Sequence, residues 1–431
     1  MKYHNLKKYT CLNHFSQSDS TLHIGGISIA DVLKAYDTPL YVYDFSSIQH
    51  NYNLLLENFP QFDIFFSIKA NPSLAICSFL SQLKCGAELA SDGELSIALK
   101  AGFQPENIVF AGPAKTDGEL TYAINAGIAS VNVESFGELE RLNDIAKRLG
   151  KSVDVCLRVN TKLSEVTTKE VMAGGSSRFG IDEEKIFERL DPLNYDYINF
   201  VGIHVYTASG ILDVDAILRN FERTLRVASR LRESGFPIEI VDVGGGFGVP
   251  YLEDDEELDI ALLGDKTEKL LQSFPELSDA RKILELGRFL MAQSGVFLTR
   301  VMDVKCSRGK TFVATDGGMN NFFRPILMEH NHPTFVVNKL GKPETDTVNI
   351  GGPICTPIDV IGKDVSAPDV EEGDVIGYFN AGAYGYSMSM HNFLSHPNPP
   401  EVAIYGGESY LIRERATLED IFEGQDILIL R

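Results

Sequence analysis

Eight short apolar runs, separated by longer amphipathic stretches, occupy the sequence between Tyr41 and Leu286. They are Ile64–Ile68, Ala87–Ala90, Ile108–Ala111, Ser130–Val133, Val153–Val159, Val201–Tyr206, Ile238–Val243 and Ile283–Leu286. A strand that is apolar along its whole length is buried on both faces, and strands joined through helices pair in parallel by crossover. Eight such units in about 250 residues predict a closed α/β (β/α)8 TIM-like barrel. An open doubly wound sheet usually begins with a Gly-rich turn. The corresponding turn here is Ser67-Ile68-Lys69-Ala70-Asn71-Pro72, so the barrel is the expected fold.

The texture changes near Gly295. Val301–Lys305, Thr311–Thr315, Phe335–Val337, Thr347–Ile350, Val375–Phe379 and Glu401–Tyr405 are short β-prone runs broken by Gly, Pro and Asp. They predict a C-terminal all-β domain, a sandwich or barrel, over 295–431. The (β/α)8 barrel is expected over 36–294, and residues 1–35, with a candidate strand at Leu22–Ile24, form a segment expected to pack with the β domain.

Charge restricts the partners. Lys plus Arg is 39 and Asp plus Glu 60, a net charge of −21. So acidic a chain repels nucleic-acid phosphate and anionic membrane, whose affinity for proteins rests on basic side chains. No apolar stretch has the length of a membrane span and no secretory leader is visible, so a cytoplasmic location is expected. The six cysteines (Cys11, Cys77, Cys85, Cys156, Cys306, Cys355) show no CxxC and no metal-ligand spacing with His. Free thiols and no metal are the expectation.

Barrel enzymes carry their chemistry at the carboxyl ends of the strands. Those ends hold, in order, Lys69, Glu88, Arg158, His204, Gly244-Gly245-Gly246, and Glu285 followed by Arg288. Each has an ordinary reading by itself. Lys69 can be a strand-tip lysine with its ammonium in water, His204 a satisfied core histidine, Glu285 a solvated carboxylate and the glycines a tight turn. Together they describe a pyridoxal phosphate site: a Schiff-base lysine, a phosphate cradle, a ring-stacking imidazole and a carboxylate on the pyridinium nitrogen.

The motifs Tyr-Val-Tyr-Asp (41–44), Ser-Ile-Lys-Ala-Asn (67–71), Ser-Arg-Phe-Gly-Ile (177–181), Gly-Ile-His-Val (202–205), Val-Gly-Gly-Gly-Phe-Gly (243–248), Glu-Leu-Gly-Arg (285–288), Asp-Gly-Gly-Met-Asn (316–320), Cys355 and Gly-Ala-Tyr-Gly (382–385) run through nearly the whole chain. In this order they resemble the alanine-racemase-fold PLP decarboxylases, the family of diaminopimelate and ornithine decarboxylases. The resemblance implies a homodimer whose active site joins the barrel of one subunit to the β domain of the other. It implies Lys69 as the Schiff-base lysine, His204 on the cofactor ring and Glu285 at the ring nitrogen. Gly244, Gly245, Gly246, Arg288 and Tyr384 would hold the phosphate, with Thr207 where the family has a serine. Glu88 stands where an aspartate is usual, and Arg158 lies near the phenolic oxygen. Cys355 would come from the partner subunit as the proton donor.

Departures from the family pattern bear on the substrate. Diaminopimelate decarboxylases follow the cysteine with Glu-Ser, the Glu reading the distal amine, and place a Tyr four residues after the Arg of an Arg-Pro pair. Here the sequence reads Cys355-Thr356-Pro357-Ile358-Asp359, and Arg324-Pro325 leads to Met328. Without both distal readers, a free zwitterionic end is disfavoured. The Cys-Thr-Pro pattern resembles a branch found in secondary-metabolite (antibiotic) clusters. It implies α-decarboxylation of an amino acid whose far end is masked or tethered, provisionally glutamate carried on an acyl-carrier protein. Arg288, Arg324, Thr356, Asp359 and Tyr384 are the candidate substrate contacts, with Asp359 available to an amine. Decarboxylation of a free amino acid (ornithine, lysine, diaminopimelate or a siderophore intermediate) is the alternative reading, and an inactive regulatory homologue a minor one.

Overall fold

A computed structural model describes residues 3–9, 12, 14–161, 175–190 and 194–429. The chain divides into two compact units. One comprises His50–Val249 and Glu257–Leu290, the other Met1–Gln49, Pro250–Glu256 and Met291–Arg431.

The first unit is the barrel. Its strands are β1 (Asp63–Ser67), β2 (Gly86–Leu89), β3 (Ile108–Phe110), β4 (Ser130–Val133), β5 (Val153–Asn160), β6 (Ile198–His204), β7 (Ile240–Gly245) and β8 (Arg281–Leu286). All pair in parallel, β8 joins β1 and β4 joins β5, so the sheet closes. Phe65, Val109, Cys156, Val201, Ile240 and Ile283, drawn from six of the strands, form one buried cluster. Each expected strand is present, with ends that differ where the apolar pattern misleads. Strand β6 starts three residues early because exposed Asn199 interrupts its apolar run. Strand β7 runs on through two glycines that read as a turn, because Gly245 still pairs with Glu285 of β8. The crossover helices carry their own stop and start signals. Asp117–Ala126 begins with a full capping box, Thr116 and Glu119 exchanging hydrogen bonds, and ends at Gly127 in the left-handed region.

The second unit is built on a mixed sheet. Gly295–Ser307 is its longest strand, antiparallel to Leu40–Asp44, Val375–Tyr378 and Lys310–Thr315. Leu40–Asp44, which falls within the segment expected to form the barrel, also pairs in parallel with Glu401–Tyr405. Its five residues are all buried, and so apolar a run gives no sign of which sheet it joins. Strands Val360–Ala367 and Glu408–Arg413 were not anticipated, nor were Leu40–Asp44 and the short Ser16–Ser18 and Ile27–Ser28. Val360–Ala367 carries exposed Lys363, Asp364 and Ser366, and Glu408–Arg413 is exposed or half-buried throughout, so neither reads as a buried apolar run. Leu6, Phe15, Leu22 and Ile24 share one core with Val296, Phe335 and Val402. Among the described residues no helix is long and apolar enough to cross a membrane.

Candidate active site

Strand β1 ends at Ser67, and one helical turn, Ile68–Ala70, places Lys69 at the carboxyl end of the barrel. Its Nζ bonds both oxygens of Glu88 at 3.0 and 2.9 Å, and Glu88 is buried at the end of β2. The lysine side chain itself stays 39% exposed, so the amine is held in place yet accessible.

The aromatic ring that meets this amine belongs to Tyr206, 5.6 Å from Nζ to its centre. A Cβ added to Gly244 would lie 3.0 Å from Cδ2 of the same ring. The phenol ring therefore lies near both the lysine and the glycine turn. His204, at the end of β6 and expected on the cofactor ring, is buried, with Nε2 3.2 Å from Oε2 of Glu285.

Beside Tyr206 the glycine turn presents bare backbone. A Cβ on Gly245 would fall 2.0 Å from the carbonyl oxygen of Glu285, and one on Gly246 2.1 Å from that of Ala208. Gly244 and Gly246 also have φ of +65° and +83°, a region that disfavours a side chain. Arg288 Nη2 donates to Ser209 Oγ at 3.2 Å. The hydroxyl set beside the arginine is thus that of Ser209, two residues beyond Thr207, which is also buried.

Beneath lies a buried acidic pair. Burial pushes the Asp242 carboxyl well above the carboxylate range, and the neighbouring Glu285 adds to this. Burial also raises Glu285, but His204, Asp242 and Lys69 outweigh it and hold that group at about 2. Glu285 is therefore the ionised member, buried where a protonated ring nitrogen needs a counter-charge.

Arg158 is held by Glu134, Nη1 to Oε1 at 2.8 Å. The Glu134 carboxylate also accepts the N–H of Gly112 at 2.8 Å and of Gly180 at 3.1 Å. Next to it, Lys115 donates to Glu138 and to the carbonyls of Gly112 and Asn132, a second buried pair. Neither Glu134, Tyr206, Ser209 nor Asp242 was singled out from sequence. The available signal for Glu134 and Tyr206 was a charged or hydroxyl residue within two positions of a strand end; Ser209, five residues past β6, and Asp242, inside β7, carried no such signal.

In the other unit, Cys355 is an exposed free thiol on the loop between strands Asp346–Gly351 and Val360–Ala367. Cys77, Cys85 and Cys156 are free and buried, Cys306 is free and exposed, and Cys11 lies outside the described residues. Asp359, read as a possible amine contact, has both oxygens taken: Oδ1 accepts from Met319 N at 2.7 Å and Oδ2 from Ile354 N at 2.9 Å. It ties the Cys355 loop to the Asp-Gly-Gly-Met segment. Arg324 is buried, its guanidinium 5.1 Å from the Tyr384 ring and 5.9 Å from that of Tyr251. Thr356 is half-buried beside Cys355.

A partly open amine, a side-chain-free turn beside an arginine, an aromatic face between them and a buried ionised carboxylate fit an aromatic aldehyde bearing a phosphate. The fold and this set of groups define a barrel enzyme of the pyridoxal type. Residues 45–292 match the family model "Pyridoxal-dependent decarboxylase, pyridoxal binding domain". The chain is 36% identical to the L-glutamyl-[BtrI acyl-carrier protein] decarboxylase of Niallia circulans, over 94% of this chain and 97% of that protein. It is 34% identical to the diaminopimelate decarboxylase of Aquifex aeolicus, over 97% and 98%. The crystal structure of diaminopimelate decarboxylase from M. jannaschii superimposes with a TM-score of 0.91 at 32% identity, covering 97% of this chain and 99% of that one. The chain belongs to the pyridoxal-dependent decarboxylase family, its cofactor is pyridoxal phosphate, and it is a carboxy-lyase.

Proposed function

We propose that the protein removes the α-carboxylate of an amino acid whose far end is masked, with glutamate tethered to an acyl-carrier protein as the provisional substrate. The observation that carries this reading is the use of Asp359. Both its oxygens are occupied by backbone N–H groups, and residues 355–358 include no other acid. The acid of the Cys355 loop is therefore committed to the backbone, which weighs against its reading a distal ammonium group. The similarity to the N. circulans enzyme points the same way, although diaminopimelate decarboxylases match at comparable identity.

The bound cofactor supplies an electron sink for the pair left at the α-carbon when carbon dioxide departs. Lys69 would hold the aldehyde carbon, with Glu88 orienting the amine, and His204 and Tyr206 would line the ring. Gly244, Gly245, Gly246, Arg288, Thr207 and Ser209 would hold the phosphate, and Arg158, set by Glu134, would lie near the phenolic oxygen. Glu285 would keep a proton at the ring nitrogen. Cys355 delivers the proton that replaces the lost carboxylate. In a homodimer, the Cys355 thiol of one copy would reach the substrate held at Lys69 of the other and the Tyr384 hydroxyl would join the phosphate site, and a cytoplasmic location suits such an enzyme.

Carbon dioxide release is to be measured across glutamyl-carrier protein, free glutamate, diaminopimelate, ornithine and lysine. Turnover on the tethered substrate is expected to exceed the others by at least about tenfold, the discrimination one missing polar contact provides. Equal or faster release from free diaminopimelate or ornithine rejects the masked-end reading in favour of a free amino acid.

A further inference from the structure

Asp242 is a buried acid of the barrel to which the mechanism above gives no task. Asp242 lies two residues before the glycine turn and is 1% exposed. Its Oδ1 accepts the N–H of Gly244 at 2.9 Å. Its Oδ2 and Oε1 of Glu285 are both enclosed, and neither has a hydrogen-bond donor among the described residues. One ligand atom each from Asp242, Glu285 and His204 lie within 4.8 Å of one another, and Oε2 of Glu285 already faces His204. Two carboxyl groups side by side in a low-dielectric interior do not both ionise. A single shared proton supplies both orphaned oxygens at once, and an enclosed acceptor without a donor is costly.

We propose that Asp242 is a positioning residue: it donates its carboxyl proton to Glu285 through Oδ2 while Oδ1 holds the Gly244 N–H. It thereby locks the turn that receives the phosphate to the carboxylate that serves the ring nitrogen. The inference rests on the cofactor reading above and extends it. The surroundings agree with the placement of the proton. Burial, Glu285 and Glu88 all disfavour an ionised Asp242, whereas His204 and Lys69 favour an ionised Glu285. Because the two ends of the cofactor are registered through this one side chain, its loss is felt in cofactor affinity.

The test is a titration of full-length apoprotein with pyridoxal phosphate, followed by absorbance, for wild type, Asp242→Ala and Asp242→Asn. The asparagine carbonyl can accept from Gly244 and its amide can donate to Glu285, with no titrating proton. Removing a hydrogen bond to a charged group should raise the Kd of Asp242→Ala by roughly 10–100-fold. Asp242→Asn should restore it to within about threefold of wild type, since both bonds are kept. A wild-type Kd for the alanine variant overturns the proposal. An asparagine variant more than about tenfold weaker overturns it too, because a charge would then be required, and this arm decides even if the alanine variant does not fold. A stoichiometric divalent metal in the wild type that is absent from Asp242→Asn also overturns it, assigning the three groups as ligands instead. Borohydride reduction of the wild-type holoprotein checks the underlying reading separately: a pyridoxyl mass on Lys69 sustains it, and none there rejects cofactor site and proposal together.

Discussion

His4 is buried in the β unit at 1% exposure, and its Nε2 accepts the N–H of Val336 at 2.7 Å. A protonated ring would turn that acceptor into a donor facing a donor. Burial pulls the imidazole down to about 4, despite the opposing pull of Glu344. The unfolded chain, at the ordinary value of 6.5, therefore takes up the proton first. The stability due to neutral His4 is complete above pH 6.5 and is lost as the pH falls towards 4. Urea midpoints between pH 7 and 4.5 should fall more steeply for wild type than for His4→Gln. Parallel curves would show that the ring does not titrate on unfolding. The sequence gives no hint of this, since a histidine near a terminus ordinarily lies in water.

At the scale of elements, the joint between β7 and the turn that follows carries the tightest constraint. Gly245 is still in the ladder with Glu285, and the missing side chain is what lets the two strands approach. Gly245→Ala places a methyl carbon 2.0 Å from a backbone oxygen, so β7 and β8 must separate just where Glu285 stands. The expected result is a folded barrel with at least about tenfold weaker cofactor binding and a stability loss of several kcal/mol, the range for overpacking at a special backbone site. Pyridoxal phosphate titration and urea unfolding read the two effects, and wild-type affinity would dissociate the turn from the cradle. The eight strands were legible because burial on both faces makes them apolar throughout. The exposed strands Val360–Ala367 and Glu408–Arg413 were not, because solvent on one side removes that signal.

For the whole molecule, a charge of −21 leaves little basic surface for an acidic carrier. The arginines of helix Val214–Glu233 are largely engaged: Arg226 pairs with Glu222, Arg230 with Glu183 and Arg232 with Asp279. Docking of a carrier is accordingly expected to depend weakly on salt, so that KM for a tethered substrate changes less than about threefold between 50 and 300 mM salt. The proposed homodimer has a direct test in mixed subunits. Lys69→Ala and Cys355→Ala are each expected to be inactive alone, and activity should reappear when the two are unfolded and refolded together. Continued inactivity of verified heterodimers would reject shared sites.

Local sequence determined the barrel, the lysine at its first strand end and the glycine turn at its seventh, because each is written in a few contiguous residues with their own periodicity or backbone requirement. It could not determine which ring faces Lys69, which hydroxyl meets Arg288, or that Asp359 ties its own loop to the backbone of Met319. Those follow from where strand β6 stops and from which N–H groups a fold brings to a buried oxygen. Hydrogen bonds are satisfied by neighbours in space, and a linear chain does not specify its neighbours until it has closed into a barrel.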